Sequence, residues 1–253
     1  MLCACLALAL IPLAPGCGGP SLSESAEKAF DLYDPDRRRE GLQELADSRF
    51  GGDEPYLVAY RTALGPPPEA PAGDPTVRAA ALRALGRHGG AADLPIAIAY
   101  LEDDSPFVRW EAARALEHLP GQATGLVRAL TTVVIDVDQP SDVRQAAARA
   151  LARQRNPLAF DALVTTLADS DFAVVHAAQR SLQTLTGQDD LGVEPGEWAA
   201  WAQGRRDRLF ENAHLYQPLA YPESPSFWDR LTGADEADEP ADTPGDPPDA
   251  ANG

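Results

Sequence analysis

One block of residues recurs along this chain and limits its folds more than any other feature. Pro75-Thr76-Val77-Arg78-Ala79-Ala80-Ala81-Leu82 returns as Pro106-Phe107-Val108-Arg109-Trp110-Glu111-Ala112-Ala113, then as Ser141-Asp142-Val143-Arg144-Gln145-Ala146-Ala147-Ala148, then as Phe172-Ala173-Val174-Val175-His176-Ala177-Ala178. The equivalent valines stand 31, 35 and 31 residues apart. Two more columns keep the same register, Leu85, Leu116, Leu151 and Leu182 in one and Arg83, Arg114, Arg149 and Arg180 in the other. A weaker first copy runs from Asp34 through Leu42 and Leu45. A period of this length marks a stack of units, because a unit of some thirty residues cannot bury its apolar face alone.

Each unit reads as two helices. Val, the Ala four residues on and the Leu eight on fall on one face of a 3.6-residue helix. An Asp or Ser followed by Pro favours a helix start, since Pro fits the first turn. Gly89-Gly90, Pro120-Gly121, Asn156-Pro157 and Gly187 break the chain after each first helix. The second helices then run from 94 to 102, 123 to 135 and 158 to 168. Val133-Val134-Ile135 is the one β-branched run, and helical context overrides it. The expected fold is all-α, an α-α superhelical solenoid of about five helix pairs.

These residues resemble the HEAT-repeat family, in its short D-P-x-V-R-x-x-A-x-x-A-L form, over about 34–203 and most specifically over 74–187. The resemblance implies a non-catalytic scaffold for a protein partner, because the family carries no general catalytic residue. It also implies a long concave surface lined by second helices. The candidate partner-binding residues there are Tyr60, Arg61, Tyr100, Arg128, Thr131 and Thr165, with Tyr56 and Asp161 beside them. Trp110 is a separate candidate on a first helix. It lies about 200° around from the core stripe, so it either anchors a partner or packs against the neighbouring unit. Arg78, Arg109 and Arg144 read as structural partners of nearby acids such as Asp74, Asp104 and Asp142, rather than as an anion ladder.

The ends divide the chain further. Residues 2–14 form its longest apolar run. That is too short to span a bilayer, which takes about 20 residues, but it has the length of a signal-peptide core. Leu13-Ala14-Pro15-Gly16-Cys17 resembles the lipobox of bacterial lipoproteins, with Ala14 where that motif usually has Leu and no basic residue before the apolar run. The resemblance implies cleavage before Cys17 and its acylation. That address is the bacterial cell envelope, membrane-held through lipid and facing the periplasm or exterior. Without the resemblance, the run is an ordinary signal peptide or an apolar N-terminal helix. The expected divisions are a signal peptide (1–16), a tether (17–23), a first helical pair (24–64), a Pro-rich linker (65–73), the array (74–203), an aromatic and Pro-rich extension (204–231) and a disordered acidic tail (232–253).

Charge and motifs narrow the function. The net charge is -18, and the body carries -11 even without the seven acids of the tail. Nucleic acid is disfavoured, because phosphate binding needs a basic stripe to release counterions. All three cysteines precede residue 18, so no cysteine pair remains in the body for a disulfide or zinc site. His88, His118, His176 and His214 fall out of repeat register, and no Walker A, GxSxG or GxGxxG motif occurs. No cofactor or metal is expected. The alternative is an enzyme or enzyme accessory subunit on the same solenoid, in the manner of bilin lyases or metal hydroxylases.

Overall fold

The computed structural model describes residues 22–65 and 73–213. Among them are eleven α-helices, two 3-10 turns and no strand. The first helices of the units are α2 (Pro35–Asp47), α4 (Pro75–His88), α6 (Pro106–His118), α8 (Ser141–Leu151) and α10 (Phe172–Thr186). Their second helices are α3 (Glu54–Leu64), α5 (Leu94–Ala99), α7 (Leu126–Ile135), α9 (Pro157–Thr166) and α11 (Pro195–Ala202). These five pairs form the expected solenoid. A further helix, α1 (Leu22–Ala29), packs on α2. The stretch read as a first pair therefore holds three helices, with α1 covering the face of α2 that no earlier unit covers.

Successive first helices pack directly on one another, from α2 through α4, α6 and α8 to α10. The valine column (Val77, Val108, Val143, Val174) and the leucine column (Leu85, Leu116, Leu151, Leu182) are buried, as are Ala81, Ala112, Ala147 and Ala178 between them. Alanine lets neighbouring helix backbones approach closely while removing apolar surface from water. Asp34, Asp74 and Asp171 accept backbone N–H bonds at the starts of α2, α4 and α10, and Asn156 does so for α9. Each such cap satisfies a donor the helix cannot use, worth about 1 kcal/mol. The Val133-Val134-Ile135 run is helical, inside α7. That helix begins at Leu126, after the Pro120–Gly125 turn, three residues later than its periodicity suggests.

The Val-Arg arginines are structural, but their partners are not the acids expected. Arg78 makes a two-pronged bond to Asp103, Nε and Nη2 each 3.0 Å from a carboxylate oxygen, and also donates to the Gly73 carbonyl. Arg144 Nη2 donates to Asp169 at 3.0 Å and Nη1 to the carbonyls of Val137 and Gln139. Both acids stand 25 residues after their arginine, at the turn leaving the second helix. Each arginine thus ties its own unit's entry to its exit. The spacing of 35 breaks the pattern, because position 134 is a valine. Arg109 instead donates to the Gln139 amide oxygen (2.9 Å) and to the carbonyls of Asp103 and Asp104. Asp104 and Asp142 are exposed.

An aromatic plug closes the last unit. Trp198 is fully buried and meets Phe160 and Trp201 at centroid distances of 6.4 and 6.3 Å, while its indole N–H donates to the Gly192 carbonyl at 2.8 Å. Gly187 ends α10 at φ 75°, and a Cβ there would fall 1.9 Å from the Asn212 carbonyl oxygen. The chain past α11 therefore folds back against the end of α10. No described helix is long and apolar enough to cross a membrane.

The arginine ties give a graded expectation for stability. Arg144 and Asp169 are both almost fully buried, and removing one member strands a buried charge. Arg144→Ala therefore costs about 3 kcal/mol. Arg109→Ala, which leaves only a neutral amide and two carbonyls behind, costs about 1 kcal/mol. Urea denaturation midpoints of the two variants measure the difference, and equal losses would contradict this division of labour.

Candidate functional site

The structure does not bring the second-helix candidates together into one surface. Tyr60 is fully buried, with its hydroxyl donating to the Gly51 carbonyl at 3.0 Å. Tyr100 is buried and donates to the Leu64 carbonyl, the bare end of α3. Burial pushes both phenols up, with Tyr56 adding to the effect at Tyr60. Neither offers an exposed aromatic, which corrects the expectation of surface anchors at these two positions. Arg61 is committed to Asp93, at 2.8 and 3.2 Å, and to Glu54 at 3.1 Å. Burial raises the Asp93 carboxyl, but the Arg61 hydrogen bond, the Gly90 N–H and the Arg61 charge outweigh it and hold it below its usual range. Thr131 is half-buried, and its hydroxyl has no hydrogen-bond partner among the described residues. Arg128 and Thr165 are exposed, the latter donating to the Asp161 carbonyl at 2.9 Å.

What the structure does assemble lies on the first helices, around Trp110. Its ring stacks on Phe107 at a centroid distance of 5.8 Å, and the Arg114 guanidinium sits over the ring at 4.8 Å. Two adjoining grooves open here. One of about 490 Å³ is lined by Arg83, Gly86, Arg87, Glu111, Arg114, Ala115 and His118. The other, about 350 Å³, adds Arg39, Gln43, Thr76, Ala79, Ala80, Phe107 and Trp110, and shares Arg83, Glu111 and Arg114 with the first. Beneath them α4 and α6 nearly touch, since a Cβ on Gly86 would lie 2.9 Å from the Ala115 Cα.

Glu111 is the anomaly of this region. Its equivalents on α4, α8 and α10 are Ala80, Ala146 and Ala177, buried at the seam between first helices, while the weaker first copy has Glu40 there, exposed and 3.4 Å from Lys28. It is 5% exposed, and Arg114, three residues on, reaches its carboxylate only at 3.5 Å. Burial pushes the carboxyl above the usual carboxylate range, against the opposing charges of Arg114 and Arg83. Burying a weakly paired carboxylate costs free energy that alanine would not. The repeat is its own control here, because the three other buried examples of this position are alanine and the first unit's acid, Glu40, stays exposed. The sequence held that signal in full. Trp110-Glu111 stands where α4, α8 and α10 have Ala79-Ala80, Gln145-Ala146 and His176-Ala177 and the weaker first copy has Arg39-Glu40.

Residues 69–134 and 127–192 each match the family of HEAT repeats. The array is a HEAT-repeat array. No curated protein matches the chain. HEAT repeats are typically non-catalytic and commonly mediate protein–protein interaction. In this HEAT array the histidines serve separate surroundings. His88 Nε2 lies 2.9 Å from the Ala46 carbonyl, His176 meets Phe172 edge-on at 4.6 Å and His118 lines the larger groove. Among the described residues no three His, Cys, Asp or Glu side chains gather as a metal site would need. Cys17, His214, the acidic tail and most of the Pro-rich linker lie outside the described residues.

The cost of Glu111 is measurable. Its carboxyl is raised in the folded chain, so the fold favours the protonated form. The penalty is absent below the unfolded carboxylate range and complete above the raised value. Glu111→Ala, which gives α6 the residue found on α4, α8 and α10, should stabilise the HEAT array by about 1 kcal/mol at pH 8. The gain should vanish as pH falls below about 4. Denaturant titrations at the two pH values check it, and a large loss at pH 8 would show that Glu111 supports the fold instead.

Proposed function

We propose that this chain is a non-catalytic interaction scaffold whose partner protein docks in the first-helix grooves at α4 and α6, and that Cys17 holds it at a bacterial membrane through lipid. The observation that carries the docking site is the Trp110-Glu111 pair. A costly buried acid and a large aromatic stand where α4, α8 and α10 keep small or polar residues, and both line open grooves. Interfaces favour such a setting, with Trp and Arg anchors dominating their energetics. Glu111 supplies a recessed acceptor for a partner's donor. Arg83, Arg87 and Arg114 supply donors at the rim, and Phe107 extends the apolar floor. Residues that sacrifice stability without serving the fold belong to function.

The tether follows from the small-residue run ending at Cys17. Two or more acyl chains hold a protein stably at a bilayer, each buried methylene contributing about 0.8 kcal/mol. The address proposed is the cell envelope, on the periplasmic or outer side. Arg128 and Thr165, exposed on second helices, are available for secondary contacts with the same partner.

Two measurements test this reading. Partner capture from native membranes should fall at least tenfold in Trp110→Ala and Arg114→Ala, while Arg128→Ala retains most of it. If Arg128→Ala lost the partner and Trp110→Ala kept it, docking would belong to the second helices. Mass spectrometry of the cell-made chain should find acyl groups on Cys17 and partitioning into detergent that Cys17→Ser abolishes. An unmodified Cys17 on a mature chain would remove the tether from the proposal.

A further inference from the structure

The turn between α1 and α2 holds large apolar side chains out to solvent. Tyr33 is 98% exposed, Leu32 71% and Phe30 46%, three such side chains within four residues. The backbone beneath them is closed on itself. Phe30 N–H donates to the Ala26 carbonyl at 3.1 Å and Asp31 N–H to the Lys28 carbonyl at 3.0 Å. Asp31 Oδ1 accepts the N–H groups of Tyr33 (2.9 Å) and Asp34 (3.1 Å), and its side chain is mostly buried under the turn. The charges nearby are paired as well. Arg37 meets Glu27 at 3.1 Å and Asp31 at 3.6 Å, Arg39 meets Asp36 at 3.2 Å, and Lys28 lies between Glu40 (3.4 Å) and Glu44 (2.9 Å). Asp34 is occupied in capping α2.

An apolar tip over satisfied backbone and paired charge suits a lipid surface. A bilayer offers no water to bare N–H groups, so a segment that enters it must satisfy its own donors. Unpaired charge is costly there too. Tyrosine is favoured at the boundary, where its ring lies among apolar groups and its hydroxyl stays wet. A protein partner makes no such demand, since it can supply donors and counter-charges itself. The position in the chain agrees. On the reading that Cys17 is acylated, on which this inference rests, five peptide links separate the lipid from Leu22 and span at most about 18 Å. The eight residues of α1 add about 12 Å of helix. The turn therefore begins within about 30 Å of the lipid-bearing residue. At that range even a weak second contact forms, because the tether gives it a high effective concentration.

We propose that Phe30, Leu32 and Tyr33 insert into the interfacial layer of the bilayer that holds Cys17, as a second and noncovalent foothold. The contact is apolar, so it persists in salt. It needs no anionic lipid, whose negative surface potential a chain with a net charge of -18 would oppose. One lipid-bearing residue fixes a point, and a second contact fixes a direction as well. The first unit is then held at its α1–α2 end, and the later units continue from a fixed start.

The test uses the cell-made chain in neutral phosphatidylcholine vesicles that include a lipid spin-labelled near the top of its acyl chain. A water-sensitive fluorophore is attached at Leu32→Cys. On the tether reading Cys3 and Cys5 leave with the signal peptide and the Cys17 thiol is spent in its thioether, so the label has one target. The spin label should quench it at least fivefold more than a label at Val137→Cys or Phe172→Cys, two positions equally exposed but in later units. Adding Phe30→Ser and Tyr33→Ser should bring the quenching down to those controls, while circular dichroism stays helical. Raising NaCl from 50 to 500 mM should leave it unchanged. Mass spectrometry of the same sample separates the two readings. Acylated Cys17 with quenching no greater than at the controls would overturn the insertion and leave the tether standing, whereas an unmodified Cys17 would remove both. A label shielded from water yet not quenched would overturn the insertion too, since it marks a protein occupant such as a second copy. Quenching lost in salt would show a charge-driven contact in place of the apolar one proposed.

Discussion

Close approach of the first helices governs the rest of this molecule. Alanine at the seam positions allows successive helices to pack backbone to backbone, and the valine and leucine columns on either side fill the space this leaves. The second helices are then free to vary. α5 has six helical residues before it tightens into a 3-10 turn, while α7 and α9 run to ten each. Variation on one side is tolerated because the other side is uniform. The arginine ties at Arg78 and Arg144 fix the angle at which each unit leaves, and the extra residues before α8 are absorbed where Gln139 substitutes for the missing acid.

Much of this was written in the pattern of the sequence. The repeat register locates four first helices, because a valine, an alanine and a leucine at fixed offsets leave only one face to bury, and Leu42 and Leu45 extend it to the first. What escaped was anything that depended on which side of a second helix meets its neighbour. Tyr60 and Tyr100 look like surface aromatics because their hydroxyls are polar. Both hydroxyls in fact satisfy backbone carbonyls, Tyr60 at the turn within its own unit and Tyr100 at the helix end of the unit before, pairings that no periodicity within one helix reveals. The helix α1 escaped for a related reason. It precedes the repeat, so no register announced it.

The site illustrates a different limit. Reading a repeat for what its copies share finds the fold, and reading it for where one copy departs finds the candidate function. Glu111 is visible in the sequence as an acid where three other copies have alanine, but its meaning depends on burial, which the exposed Glu40 of the first copy lacks, on the long distance to Arg114 and on the grooves above it.

The first unit is held to the array by more than the chain that joins them. Residues 22–65 meet residues 73–213 through α2 and α3 on α4, through Asp47 with Arg83 and Arg87, through Asp93 with Arg61, and through the Tyr100 hydroxyl on the Leu64 carbonyl. Every one of these contacts is noncovalent and none needs the peptide bonds between 66 and 72. A protease that cut in that stretch would therefore produce two fragments that stay together. The same position is a natural breakpoint for a split protein, whose halves reassemble by completing each other's buried face.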